Sequence, residues 1–220
     1  IAGIDGPVVT AGGNVVVTAL NDAAIHAIVK SFAVGAGVSV SDESTGVAIG
    51  VSVAENDIGA AGDRNVVHAY IAHSDVDAAG NLTVSATSQA NIDARVEAIA
   101  VGIAASKDAA TSLAGAGVVT LNDIHTDVAA WVGDASAVTV RGATGIVLSA
   151  ADRSTITAEG LSASVAGSFS ASDKGIAVAI GVSVSENVID SDVAASLMNV
   201  AAVQVPVGGI DIDAVSSGSI

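Results

Sequence analysis

Acidic residues two positions apart are the first groups in this sequence that could do chemistry. Asp75 and Asp77, and likewise Asp211 and Asp213, flank a single apolar residue, and in a strand such pairs lie on one face about 6.5–7 Å apart. That separation suits an inverting glycosidase or part of a Ca²⁺ site. We interpret both pairs as a solvated outer face, since the Gly-Gly-x-Gly-x-Asp repeats that bind Ca²⁺ do not occur. The weaker ligand candidates, interpreted in the same way, are Asp190, Asp192, Asn122 and Asp123.

The histidines His26, His68, His73 and His125 are the other candidate metal ligands. A zinc site needs three or four converging ligands, and only His68 and His73 are close in sequence. Their spacing puts them on opposite faces of a strand. We therefore predict no metal site and no cofactor, with only weak Ca²⁺ binding by scattered carboxylates.

Signatures of nucleophilic and phosphate-binding sites are also missing from the sequence. No Gly-x-Ser-x-Gly elbow singles out one serine as a nucleophile. The glycine-rich tract Gly35-Ala36-Gly37 lacks the Lys that follows in a phosphate loop. We predict no catalytic residue and a protein that is not an enzyme. A polysaccharide-acting enzyme on a β-helix is kept as an alternative.

Three asparagines at matching positions form the clearest polar set. An Ile stands two residues beyond each of Asn56, Asn122 and Asn187. In stacked repeats such side chains can hydrogen-bond to one another and to the backbone. We predict a structural ladder at a turn, rather than a row that contacts a ligand.

Tyr70 and Trp131 also occupy matching positions, with Ser196 at the corresponding place further along the chain. An exposed aromatic row could stack on sugar rings, whereas an inward row would close one end of a narrow core. These two residues are therefore the candidate ligand-contacting aromatics.

The elements that position all these residues recur along the chain. Four alanines are spaced by 67, 64 and 64 residues, namely Ala19, Ala86, Ala150 and Ala214. The isoleucines six positions after each keep the same spacing, and markers around the asparagines and the aromatic positions recur in the same order. We predict one repetitive domain over residues 1–220, with repeats at about 13–79, 80–144 and 145–208 and a partial repeat at 209–220.

Composition restricts the class of protein. Acidic residues outnumber basic ones by 23 to 7, a net charge of −16, which argues against nucleic acid and anionic membranes as partners. Apolar runs stop short of the ~18–20 residues of a membrane span, so we expect no membrane insertion. The chain has no Cys and begins Ile-Ala-Gly-Ile-Asp, without a signal peptide. We expect a segment cut from a longer protein.

The period within each repeat is two. Residues 91–98 alternate polar and apolar side chains strictly, as a half-exposed strand does. Residues 47–53 and 176–184 carry large side chains on one face and small ones on the other. We predict that Val178 and Ile180 point into the core. Polar clusters at 41–45, 106–108 and 172–174 predict exposed turns.

These patterns together predict an all-β fold. We expect a β-solenoid in which each repeat of ~65 residues holds three coils of ~20–22 residues. About ten coils at ~4.8 Å each would give a rod of ~45–50 Å. The alternative is a stack of β-hairpins that turn at Asp42, Asp108 and Asp173 and form a flatter sandwich. Open coils at the ends would pair with neighbouring repeats or with other copies of the chain.

The succession from Gly50 to Ala86, GVSV…N.I…V.AYI..S.V.A.GNL.V.A, resembles the repeats of large bacterial surface proteins, the filamentous haemagglutinin-like and leukotoxin-type filamentous adhesins. The resemblance covers essentially the whole chain and departs from the pattern at Ser196. It implies a non-catalytic, exported segment at the bacterial cell surface, an extended rigid stalk whose parent binds a host cell or a polysaccharide. A self-assembling fibre or surface-layer protein is the second alternative.

Overall fold

The computed structural model describes residues 1–6, 8–40, 42–134, 137–172 and 174–220. The residues it describes form strands and no helix, which confirms the all-β expectation. The sixteen strands in chain order are β1 Ala2–Asp5, β2 Val8–Ala11, β3 Val15–Asn21, β4 Ala24–Val38, β5 Ser44–Ile58, β6 Asn65–Ala72, β7 Asp75–Ala78, β8 Leu82–Ser88, β9 Asn91–Ser106, β10 Ala110–Gly133, β11 Ala137–Val140, β12 Gly145–Asp152, β13 Thr155–Ser170, β14 Gly175–Met198, β15 Ala202–Gln204 and β16 Gly209–Ser216.

The strands form four parallel sheets, and each successive sequence repeat adds a strand to each sheet. The long sheet contains β1, β5, β6, β10 and β14, and the opposing sheet contains β4, β9 and β13. The corner sheet contains β2, β7, β11 and β15, and the base sheet contains β3, β8, β12 and β16. Neighbouring strands within a sheet are therefore equivalent segments of successive repeats.

The pairing register shows that one repeat builds one layer. Val15 pairs with Leu82, and Gly145 pairs with Gly209, offsets of 67 and 64 residues. The predicted three coils per repeat are therefore wrong, as is the rod of ~45–50 Å, because four strands at ~4.8 Å spacing stack to roughly 15 Å. The error arose because the period of two identifies strands without showing how long they run, and β10 and β14 are each 24 residues long.

The body of the molecule has a conventional aliphatic core. It is shared by the second half of the long sheet, the corner sheet and the base sheet, and it includes the fully buried Ile71, Leu82, Val128, Ile146 and Leu148. Large side chains stack on large ones from layer to layer. This stacking removes a continuous apolar column from water, and each fully buried residue of this kind contributes about 1.5–3 kcal/mol of transfer free energy.

The rest of each layer projects as an arm, in which the opposing sheet faces the first half of the long sheet. Each layer crosses between these sheets at residues 39–43, 107–109 or 171–174, where Asp42 and Asp108 lie; Ser41 and Asp173 are outside the described residues. The strands on either side of a crossing belong to different sheets and do not pair with each other. The arm thus has the flat two-layer form of the sandwich alternative, without hydrogen-bonded hairpins.

The interior of the arm admits only small side chains, with Ala98, Ala100 and Ala114 fully buried in it. A Cβ at Gly35 would overlap the carbonyl of Val47 on the facing strand, so the two backbones lie very close. The large side chains point outward instead. Val178 and Ile180 are in register with Val47 and Ile49 of β5. Val47 and Ile49 are 48% and 67% exposed and alternate with buried positions, so the prediction that Val178 and Ile180 point into the core is wrong. The close approach of the sheets, rather than hydrophobicity, determines which face is inside.

A backbone turn recurs where β6, β10 and β14 leave the long sheet. His73, Asp134 and Asn199 have φ angles of 50°, 51° and 53°, and they follow the ends of β6, β10 and β14 directly. Among residues other than Gly, those three types are enriched in this left-handed region. They direct the chain into the corner sheet, and so set the boundary of the long sheet in these three layers.

Candidate functional site: side-chain columns that join the layers

The three predicted asparagines form a continuous hydrogen-bonded column. Nδ2 of Asn56 donates to Oδ1 of Asn122 at 2.8 Å, and Nδ2 of Asn122 donates to Oδ1 of Asn187 at 2.7 Å. Asn122 is fully buried and Asn56 nearly so. The column lies between two apolar clusters of the interior and joins three layers, and only its last member, Asn187, is partly exposed.

The predicted position of this ladder at a turn is wrong, because all three residues lie within β5, β10 and β14. Other asparagines hold the turn. Oδ1 of Asn14 accepts the N–H of Asn81 at 2.9 Å, and Oδ1 of Asn81 accepts the N–H groups of Thr144 and Gly145 at 3.0 and 3.2 Å. These contacts hold the entry to the base sheet. The Gly-Asn pair before β3 and β8 was the sequence signal for them.

Tyr70 and Trp131 stack on each other in adjacent layers. Their ring centroids are 4.8 Å apart and their planes differ by 9°. Gly3 pairs with Tyr70 in the next strand, where a Cβ would overlap the tyrosine ring, and Ser196 pairs with Trp131 on the other side. One face of each ring is thus occupied by the other ring. Both side chains are half-buried.

A charged cluster on the outer face of the long sheet joins all three repeats. Arg64 lies in the segment 59–64, which interrupts the long sheet between β5 and β6 and has no equivalent within β10 or β14. Its guanidinium donates to the Asp190 carboxylate at 2.7 Å, to the Asp190 carbonyl at 3.0 Å and to the Thr126 carbonyl at 3.1 Å. Asp192 lies 3.6 Å away.

Two histidines extend this cluster. Nδ1 of His125 lies 3.3 Å from the same oxygen of Asp190. Nε2 of His68 is 3.2 Å from Asp127, in an orientation that forms no hydrogen bond. The hydrogen bond from Arg64 holds the pKa of Asp190 below its ordinary value, and the same bond raises the pKa of Arg64. The arrangement is that of an ion-pair network, in which each acid faces a base from another layer.

The acidic pairs singled out in the sequence do not converge. Asp75 accepts the N–H of Ala137 at 3.0 Å, whereas Asp77 forms an ion pair with Arg141 and raises its pKa by hydrogen bonding. Asp211 and Asp213 lie exposed on β16 in the last layer. Over the described ranges no three His, Asp or Glu side chains come together as a metal-binding group.

Sequence reasoning missed a buried carboxylate where the arm meets the body. Asp152 has no exposed surface. One of its carboxylate oxygens accepts from the Ser154 hydroxyl at 2.6 Å and the other from the Ser191 hydroxyl at 2.8 Å. Ser191 in turn accepts from Thr126 at 2.9 Å. The sequence did contain a signal for this buried polar position, because Asn21 and Ser88 stand at the same place in the earlier repeats.

The outer face of the long sheet in the arm is apolar. A groove of about 320 Å³ runs along β10, with Gly115 and Gly117 at its floor and side chains of β5 and β14 on its two sides. The wall residues include Ile49, Val51 and Ile180, which are all more than half exposed.

Comparison with known proteins adds no function. No family model matches the chain, and neither the curated proteins nor the solved structures give a significant match. Within the described ranges there is also no helix of the length and apolarity needed to cross a bilayer.

Proposed function

We propose that this chain is a structural segment of a β-solenoid in a large exported bacterial surface protein, where it supplies rigidity to an extracellular stalk and has no catalytic role. The main observation that supports this proposal is the in-register pairing of each repeat with the next over nearly its whole length, as in the 24 residue pairs between β10 and β14. In such stacks each layer contacts only its neighbours, so stability accumulates layer by layer.

The polar columns support the same proposal. The asparagine ladder, the stacked rings and the Arg64 cluster all make their contacts between layers rather than around a cavity. Such contacts fix the register, because a slip of one residue would move every side chain of a strand to the other face. The export and the surface location rest on the adhesin-like pattern of Gly50 to Ala86.

The last layer of the stack is suited to continuation. In the last layer Ile210 and Ile212 stand in line with the buried Ile146 and Leu148, yet they are 48% and 44% exposed. Among the described strands β14 pairs with β10 alone, so its other edge is a template for a further strand. The partner proposed for this edge is a further repeat, or the end of another copy of the chain.

A designed extension tests this proposal. Ile220 occupies the position of Ile156 one repeat later, so a second copy of residues 157–220 appended after Ile220 would continue the pattern in register. We expect the extended chain to unfold cooperatively at a higher urea midpoint, with unchanged β-type circular dichroism per residue. The control appends the same 64 residues in scrambled order. An extension that is digested by protease as readily as the scrambled control, with an unchanged midpoint, would refute the proposal.

A further inference from the structure

Over residues 45–53 of β5 and the paired residues of β10 and β14, the outer face of the long sheet carries no charged side chain, and Glu55 and Glu186 follow directly. Fifteen outward positions make up this face, which we call the apolar face: Thr45, Val47, Ile49, Val51, Val53, Thr111, Leu113, Gly115, Gly117, Val119, Ile176, Val178, Ile180, Val182 and Val184. Eleven of them are aliphatic. In a chain with a net charge of −16, an uncharged apolar face of this extent is a candidate interaction surface.

The apolar face is ridged in a way that fits a second copy of itself. The glycines of β10 form a valley between the ridge of Ile49 and Val51 on β5 and the ridge of Ile180 and Val182 on β14. A ridge and a valley of matching length therefore lie side by side, one strand spacing of ~4.8 Å apart. A two-fold axis parallel to the strands, midway between β10 and β14, would put the β14 ridge of each copy into the β10 valley of the other.

We propose that the apolar face is the contact surface of a two-fold symmetric dimer of this chain. In this arrangement the β14 ridge of each copy is buried in the β10 valley of the other, so the same surface of both copies forms the contact, as a self-complementary interface requires. The two sheets would pack face to face at the usual ~10 Å, with aligned strands. The proposal concerns a lateral contact, and it is independent of whether the ends of the stack bind further repeats.

The contact area and the net charge of the two copies determine the expected affinity of the dimer. Under this axis the ten positions on β10 and β14 face the other copy, and at ~6.6 by ~4.8 Å each they give a footprint of roughly 320 Å² per copy, or about 630 Å² for the pair. Interfaces of this size are weak and transient, so we expect a Kd between about 10 μM and 1 mM. The net charge of −16 on each copy opposes association at long range, and salt screens that repulsion. Salt should therefore strengthen this dimer, whereas it would weaken the binding of a basic partner.

Sedimentation velocity over a hundredfold concentration range tests the proposal. For the unaltered chain we expect a monomer–dimer equilibrium that shifts severalfold toward the dimer between about 0.05 and 0.5 M NaCl. Val182→Asp on the ridge should abolish the dimer. Val165→Asp is the matched control, because Val165 is 60% exposed on the outer face of the opposing sheet in the same layer. It should leave the dimer intact.

A charge-pair experiment locates the contact. Under the proposed axis, Val182 of each copy enters the valley at Gly117 of the other, so the two Val182 positions lie side by side across the axis. Val182→Asp and Val182→Lys variants should each be monomeric and should form a mixed dimer when combined. Val182 is 53% exposed on the last strand of the sheet, so circular dichroism should report a folded chain for both. A strictly monomeric unaltered chain, a dimer insensitive to Val182→Asp, or failure of the mixture to associate would overturn the proposal. So would capture of the chain by neutral phosphatidylcholine vesicles in place of dimerisation.

Discussion

The guanidinium of Arg64 lies 2.7 Å from the carboxylate of Asp190, although 126 residues separate them in the chain. The contact spans three layers, because Arg64 precedes β6 in the first repeat, crosses Thr126 in the second and reaches β14 in the third. Most other interlayer contacts join adjacent repeats only, at separations of about one repeat. Segment 59–64 therefore links three successive layers of the stack through one side chain.

We expect Arg64→Gln to lower the urea midpoint at neutral pH, and we expect this loss to disappear in acid. The folded-state pKa of Asp190 lies below the ordinary value of about 3.9. The ion pair therefore stabilises the fold above that pH, and its contribution is lost as the pH falls through the folded-state pKa. Urea unfolding of both chains between about pH 7 and pH 2.5 measures the difference. Arg153→Gln, at an exposed arginine, controls for the change in net charge. An equal deficit at every pH would contradict the prediction.

Asn122→Ala should destabilise the chain by about 1–3 kcal/mol, because it leaves the Asn56 amide donor buried without its partner. Asn187→Ala removes the last member of the same column, where the side chain is partly exposed. Water can replace the lost bond there, and we expect a smaller cost. Chemical denaturation compares the two variants. Equal costs would show that the buried part of the ladder has no special role.

Ala114→Leu should cost about 1–3 kcal/mol, because the fully buried Ala114 lies in the narrow interior of the arm and overpacking displaces the facing sheet. The adjacent Leu113→Ala should cost under about 1 kcal/mol, since this side chain points outward and is 38% exposed. Thermal unfolding of both variants measures the contrast. The reverse order of stability would mean that the faces of the arm are assigned the wrong way round.

Gly3→Ala should displace the Tyr70 ring, because a Cβ at Gly3 would overlap it. Trp131 is the only tryptophan of the chain and stacks on Tyr70, so its fluorescence should change in wavelength or intensity. Gly12→Ala is the control, since a Cβ there has open space. Identical emission from both variants would show that the first layer does not support the aromatic pair.

The sequence contained enough to identify strands and to align the columns. A period of two fixes which side chains share a face, and the repeat spacing fixes which residues stack. Asn56 therefore meets Asn122, and Tyr70 meets Trp131, as their matching positions indicated. Both relations depend only on spacing along the chain, which the sequence contains directly.

Two features depended on something that spacing does not contain. The direction of Val178 could not be read from its hydrophobicity, because both faces of its strand lack charge. The close approach of the facing sheet determines which face points inward, since only small side chains fit there. The number of residues in a layer depended on where the strands end. The polar clusters marked only one of the places where the chain passes from one sheet to the next. Arg64 was missed because it belongs to an insertion, which a comparison of repeats aligns with nothing.

The large number of residues in each layer has a geometric consequence. A layer of about 65 residues raises the stack by only ~4.8 Å, so a hundred residues extend it by roughly 7 Å, against roughly 150 Å for the same residues in a helix. The 24-residue strand β10, by contrast, runs for roughly 80 Å across the layer. Growth by further repeats would therefore produce a stalk that is broad for its length. Resistance to bending and an enlarging flat surface, more than reach, are what such a stalk provides.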